Sequence, residues 1–182
     1  MIFPTKDNSL LVMVDLQTKL LPVVVDPEKV IRRAEVMLRG AAEIGVDIIV
    51  TEQYPKGLGN TLPELSTWLP DSAPVVAKSS FSVFGTPEFC THLLSRKREV
   101  LIFIGVETHV CLLQSILDAR SKGYEVIVAA DAVSSRKESD KQWGLEAARA
   151  AGAWILSCEA ILFMLLRDSK NPAFKAVSGL IK

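Results

Sequence analysis

The chain has no surplus of charge: 21 basic residues balance 21 acidic ones over 182 residues. No global field attracts nucleic acid or an anionic membrane, and no basic run compensates locally. We therefore expect a small-molecule substrate as partner, no nucleic acid and no membrane. No apolar stretch approaches the roughly 18 residues that a spanning helix needs. The opening residues, Met1 to Asn8, have neither the basic nor the apolar region of a secretory signal. Cysteine is sparse, at Cys90, Cys111 and Cys158 only. An odd number at wide spacings is no disulfide framework and suits a reducing, cytoplasmic setting. Histidine is scarcer, with His92 and His109 alone, so no strand end offers an imidazole base. The turn Asp15-Leu16-Gln17-Thr18-Lys19 lacks the glycines that let backbone approach a pyrophosphate, which argues against a nucleotide site.

What is present is apolar and regularly punctuated. Hydrophobic residues make up 49% and charged residues 23%, the balance of a globular chain, and the length fits one domain over 1–182. Leu10 to Val14 reads as a first strand ending at Asp15. Asp26-Pro27 opens a long helix, with Asp26 as N-cap, and Ile31, Ala34, Met37, Leu38, Ala41 and Ala42 supply its apolar face. Val46 to Val50 is a second strand, residues 54–59 a loop, and Pro74 to Ala77 a short third strand ending at Lys78. Thr86-Pro87 starts a helix to about Lys97. The run Val100 to Ile104 is a fully buried fourth strand. A helix through Leu112 to Arg120 follows and closes at Gly123. Val126 to Ala130, a helix from Glu138 to Ala151, and Ala153 to Leu156 come next. Glu159 to Leu166 and Pro172 to Leu180 read as terminal helices. Strands joined by helices and apolar at most positions imply an α/β fold, a three-layer α/β/α sandwich around a six-stranded parallel sheet. The expected strand order is 3-2-1-4-5-6.

Three reactive side chains occupy equivalent places in this scheme. Asp15 ends strand one, Lys78 ends strand three, and Cys111 sits in the first helical turn beyond strand four. Ligands of open α/β sheets bind in the crevice at these strand ends, where order reverses. Unpaired N–H groups of the helix start there favour a thiolate. A sulfur nucleophile, a carboxylate proton acceptor and a cation that keeps the acid ionised form a usable set. Taken one at a time, each has an ordinary reading: a packed thiol, a turn-capping aspartate, a solvated lysine. Cys90 and Cys158 read as packed residues. Asp131 reads as an acceptor for N–H groups of the Ala132 to Ser135 turn.

Four segments carry a resemblance. Val14-Asp15-Leu16-Gln17, Ala77-Lys78-Ser79-Ser80-Phe81-Ser82, Gly105-Val106-Glu107-Thr108-His109-Val110-Cys111 and Asp131-Ala132-Val133-Ser134-Ser135-Arg136 resemble the isochorismatase-like cysteine hydrolase superfamily, which includes nicotinamidases. The loop Thr51-Glu52-Gln53-Tyr54-Pro55-Lys56-Gly57-Leu58-Gly59 is similar to a subgroup of isochorismatase-domain hydrolases. The resemblance implies a catalytic triad of Asp15, Lys78 and Cys111, a cis peptide at Val106–Glu107, and an oxyanion hole made by the backbone N–H groups of Glu107 and Cys111. It implies hydrolysis of a carboxamide-type C–N bond through a thioester, and a homo-oligomer, to which the apolar residues Phe163, Leu166, Phe174 and Leu180 would contribute. Gln17, Tyr54, Leu58, Phe81 and His109 are expected to contact substrate, with Phe84 a further lining residue and Gln17 alternatively a brace for the Asp15 loop. Nicotinamidases hold a metal through an Asp-x-His pair and a further histidine. The matching positions here are Glu52 and Tyr54, a poor donor set, so we expect no metal and no cofactor. A non-catalytic scaffold or ligand-binding protein on the same fold is the alternative.

Overall fold

Continuous apolar runs can be strands only where helices cover both faces, and this chain builds that arrangement. The computed structural model describes residues 2–182. The strands are β1 (Ser9–Val14), β2 (Asp47–Gln53), β3 (Val75–Lys78), β4 (Val100–Val106), β5 (Glu125–Ser134) and β6 (Trp154–Leu156). The longer helices are α1 (Pro27–Ile44), α4 (Pro87–Arg96), α5 (Leu113–Ser121), α6 (Glu138–Ala150), α7 (Cys158–Leu166) and α8 (Phe174–Ile181), with two single turns, α2 (Pro55–Leu58) and α3 (Pro63–Ser66). All six strands are parallel, in the order β3-β2-β1-β4-β5-β6. Every residue of β1 and β4 is buried.

Alternate strand residues feed two cores. Leu11, Met13, Ile48, Val50, Ile102 and Ile104 pack with α1 and α7 on one face. Leu10, Val12, Ile49, Leu101 and Phe103 pack with α4 and α5 on the other. The period-two alternation of a strand thus works inside runs that contain no polar residue. Gly45 and Gly123 turn the chain at the ends of α1 and α5, at the N-terminal end of the sheet, and a Cβ on either would touch nothing. Among the described residues no helix is long and apolar enough to cross a membrane.

Several local expectations are corrected. Asp26 precedes α1, but its side chain makes no cap bond; it sits in the left-handed region, where its carboxylate does not reach the first-turn N–H groups. The buried stripe of α1 runs through Val30, Ala34, Met37, Leu38, Ala41 and Ile44, leaving Ala42 exposed. Residues 55–58 form a helical turn rather than open loop. β5 does not stop at Ala130: an irregularity opposite Phe103 and Gly105 lets pairing resume at Val133 and Ser134. Leu166 belongs to the core, while Phe163 stays 40% exposed and meets Phe174 edge-on.

Register decides what reaches the strand ends. Val14 pairs with Thr51 on one side and Gly105 on the other, and Gln53 pairs with Lys78. Gly105 is required at its position: φ is +119°, and a Cβ there would stand 2.0 Å from the Val14 carbonyl oxygen. Only glycine lets β4 approach β1 so closely.

Candidate active site

Asp15 follows β1 directly, is fully buried and has φ 55°. Its N–H donates to the Thr51 carbonyl (3.1 Å) and its Oδ1 accepts from the Thr51 hydroxyl (2.7 Å). Oδ2 lies 2.7 Å from Lys78 Nζ, with both side chains wholly inaccessible. The ammonium also donates to Gln53 Oε1 (2.6 Å), the Phe81 carbonyl (3.1 Å) and the Ser80 carbonyl (3.2 Å). Oδ2 is therefore ion-paired with a cation that three further oxygens hold in place. Because β2 separates β3 from β1, Lys78 reaches across it, and Gln53 on β2 receives the cation on the way.

Cys111 is 5% exposed and its thiol lies against Asp15 and Lys78. The chain arrives there through a cis Val106–Glu107 peptide and a π turn, Thr108–Leu112, that leads into α5. The Glu107 carbonyl accepts from the N–H groups of Val110 (3.1 Å) and Leu112 (3.3 Å), passing over Cys111 between them. Burial pushes the Cys111 thiol up to about 12, and the negative charge of Asp15 adds to that, against a smaller pull from Lys78. Desolvation thus works against the thiolate that the helix start favours. Burial also raises the Asp15 carboxyl, opposed by Lys78 and by the Thr51 hydrogen bond. A carboxylate of raised proton affinity set against a thiol can exchange a proton with it.

The other expected contact residues divide. Gln17 is fully buried, and its amide is consumed by backbone: Nε2 donates to the Gln53 (3.0 Å) and Gly59 (2.6 Å) carbonyls, and Oε1 accepts from the Gln53 N–H (2.7 Å). It braces the loop and has no group left for a substrate, which corrects that expectation. Tyr54 (60% exposed) and Phe81 (52%) stand on the rim beside Lys78, whose carbonyl accepts from the Tyr54 N–H. Leu58 is half-buried, and its carbonyl accepts from the Lys19 N–H. His109 places Nδ1 3.0 Å from Ser135 Oγ and Nε2 3.8 Å from Asp140. Glu52 gives its carboxylate to Thr61, through N–H (2.6 Å) and hydroxyl (2.8 Å), and to Asn60 (3.2 Å). It staples the loop. Asp131 accepts not from its own turn but from the Cys158 N–H (2.8 Å), and pairs with Arg33 at 3.4 Å. All three cysteines are free.

Thr51, Gln53 and Ser115 have structural parts in the site that their positions in the sequence did not announce. Ser115 donates to the Cys111 carbonyl (2.6 Å) and accepts from the Val83 N–H (3.0 Å). The available signal was slight: Thr51 and Gln53 lie in the Thr-Glu-Gln segment, and Ser115 falls one helical turn after Cys111. One surface cleft of about 620 Å³ lies beside Arg39, Glu43 and Lys175, and another of about 250 Å³ beside Phe84, Cys90 and Tyr124. Neither is lined by Asp15, Lys78 or Cys111.

Fold and site together define a doubly wound α/β protein with a buried acid, ammonium and thiol at its switch point. The isochorismatase domain matches residues 9–160. Isochorismatase domain-containing protein 2 of Xenopus laevis is 38% identical over 175 residues, covering 96% of this chain and 83% of that protein. The MAR1 ribonuclease of Caenorhabditis elegans superposes with a TM-score of 0.94 at 35% identity, covering 99% of this chain and 92% of that one. The YcaC gene product of Escherichia coli, an octameric hydrolase of unknown specificity, has the same fold, with a TM-score of 0.92, 23% identity, and coverage of 99% and 91%. The chain belongs to the isochorismatase-like hydrolase family.

Proposed function

We propose that the protein hydrolyses a small carboxamide-type C–N bond through a thioester on Cys111. The observation that carries this reading is the buried Asp15–Lys78 pair at 2.7 Å with the Cys111 thiol lying against it. Asp15 takes the thiol proton as sulfur attacks the carbonyl carbon. The N–H groups of Glu107 and Cys111 receive the oxyanion. Asp15 returns the proton to the departing amine, leaving the acyl group on sulfur. It then takes a proton from the water that attacks the thioester and passes it to the departing sulfur, which frees the acid and restores the thiol. Lys78 keeps Asp15 charged between these steps. No step calls for a metal or cofactor. Tyr54, Phe81 and His109 stand close enough to the strand ends to meet the substrate.

The octameric YcaC product supports a homo-oligomer here, and the free cysteines suit a reducing, cytoplasmic setting. Incubation with a panel of small amides is the test. An acyl adduct on Cys111 by intact mass, absent from Cys111→Ala, is the expected result. A wide panel giving neither adduct nor turnover removes the reading and leaves the non-catalytic scaffold. The ribonuclease name of the C. elegans protein favours a second reading, phosphodiester cleavage. Against it stand the zero net charge and an ammonium already held by four oxygens. RNA cleavage that is lost in Cys111→Ala would put that reading first.

A further inference from the structure

The turn that carries Cys111 is gripped from outside by another stretch of chain, residue against residue. Glu107 Oε2 accepts from the N–H (2.9 Å) and Nε (3.1 Å) of Arg136. Thr108 Oγ1 donates to the Ser134 carbonyl (3.0 Å), and His109 Nδ1 lies 3.0 Å from Ser135 Oγ. Three consecutive residues of the turn thus meet three consecutive residues at the end of β5. The gripping stretch is itself anchored: Ser134 Oγ donates to the Val25 carbonyl (2.6 Å), and the Val25 N–H donates to the Ser135 carbonyl (2.9 Å). Helix α6 closes the back at Gly144, where a Cβ would stand 3.1 Å from the backbone of Thr108 and His109.

Thr108, Ser134 and Ser135 are each at most 1% exposed. Buried hydroxyls that all find partners fix one arrangement and penalise its alternatives. Ser135, His109 and Asp140 have the outline of a serine–histidine–acid relay. Full burial of Ser135 denies it any substrate, so the arrangement has another use.

We infer that Thr108 and Ser135 are positioning residues: the grip on the turn sets the N–H groups of Glu107 and Cys111 at the distance a developing oxyanion requires. The inference rests on the thioester reading. Oxyanion stabilisation depends on donor geometry to a fraction of an ångström, whereas thiol ionisation depends on Asp15 and Lys78, which the grip does not touch.

Two reagents separate these requirements. With 4-nitrophenyl acetate, Cys111 sulfur bonds to the carbonyl carbon, the bond from that carbon to the ester oxygen breaks through an oxyanion, 4-nitrophenolate leaves, and Asp15 takes the thiol proton. With iodoacetamide, sulfur displaces iodide at a saturated carbon and Asp15 again takes the proton, but no oxyanion forms. Rates of Cys111 labelling by each, read by peptide mass on the full-length protein, are compared across variants. Thr108→Val is expected to slow acylation about tenfold or more while alkylation stays within about twofold, and Thr108→Ser to restore acylation. Ser135→Ala breaks the grip at a separate point and is expected to act alike if Thr108→Val does not fold. Acylation at the wild-type rate in the folded variants overturns the inference, as does a parallel fall in both reactions. Wild-type protein that is alkylated but never acylated at Cys111 overturns the thioester reading itself, and the inference with it.

Discussion

Asp15 occupies backbone space that few residues other than glycine adopt, φ 55°, at the end of a fully buried strand. There its carboxylate meets Thr51, Lys78 and Cys111 at once. Asp15→Asn removes the proton acceptor and leaves an ammonium buried without its counter-ion. Turnover should fall by about 10² or more, and denaturant titration should show a loss of about 3–5 kcal/mol, as for one half of a buried ion pair. Two pH effects follow from the shifts. In the proposed reaction Asp15 acts as a base only when ionised, and burial raises its affinity for protons. Turnover should therefore decline on acidification at a higher pH than an ordinary carboxylate would dictate. Cys111 is pushed up to about 12, so free thiolate is scarce at neutral pH and its reactivity relies on proton transfer to Asp15. Iodoacetamide labelling of Cys111 should therefore fall on acidification in step with turnover and stay level between about pH 7 and 10. A rate that climbs about tenfold per pH unit there would mean that solvent, not Asp15, takes the thiol proton.

At the scale of elements, the close passage of β1 and β4 positions everything at the switch point. Gly105→Ala would drive a methyl group into the Val14 carbonyl and strain a backbone at φ +119°. We expect a loss of about 3 kcal/mol or more in thermal or chemical unfolding. Gly144→Ala presses more gently, 3.1 Å from the turn backbone. It should lower Cys111 acylation by a larger factor than it lowers the folding equilibrium constant. The strands themselves were legible because apolar runs bounded by proline, glycine and charge admit little else. Asp15, Lys78 and Cys111 were legible because they stand where those runs end. The bracing was not legible. Gln17 to Gly59, Gln53 to Lys78 and Glu52 to Thr61 are bonds between polar groups on different elements, and no periodicity records which amide or carboxylate faces which. The extension of β5 to Ser134 was hidden for a related reason, since it depends on an irregularity opposite β4 and not on local composition.

The whole molecule leaves Trp143 64% exposed and Phe163 40% exposed on its helical layers, surface that association of copies would remove from water. Sedimentation should give a mass several times the 19.9 kDa of one chain. A monomer at micromolar concentration would assign those aromatics to another use. Because no disulfide joins the layers, reductant should leave the melting temperature unchanged.

Chemistry and chain reversal are kept at opposite poles of the sheet. Gly45 and Gly123, with open space about them, lead into β2 and β5 at the pole away from Cys111. A fluorescent reporter or an affinity tether spliced in at either bend would sit a full strand's length from the Cys111 sulfur, so the protein could be immobilised or tracked with its candidate site left free.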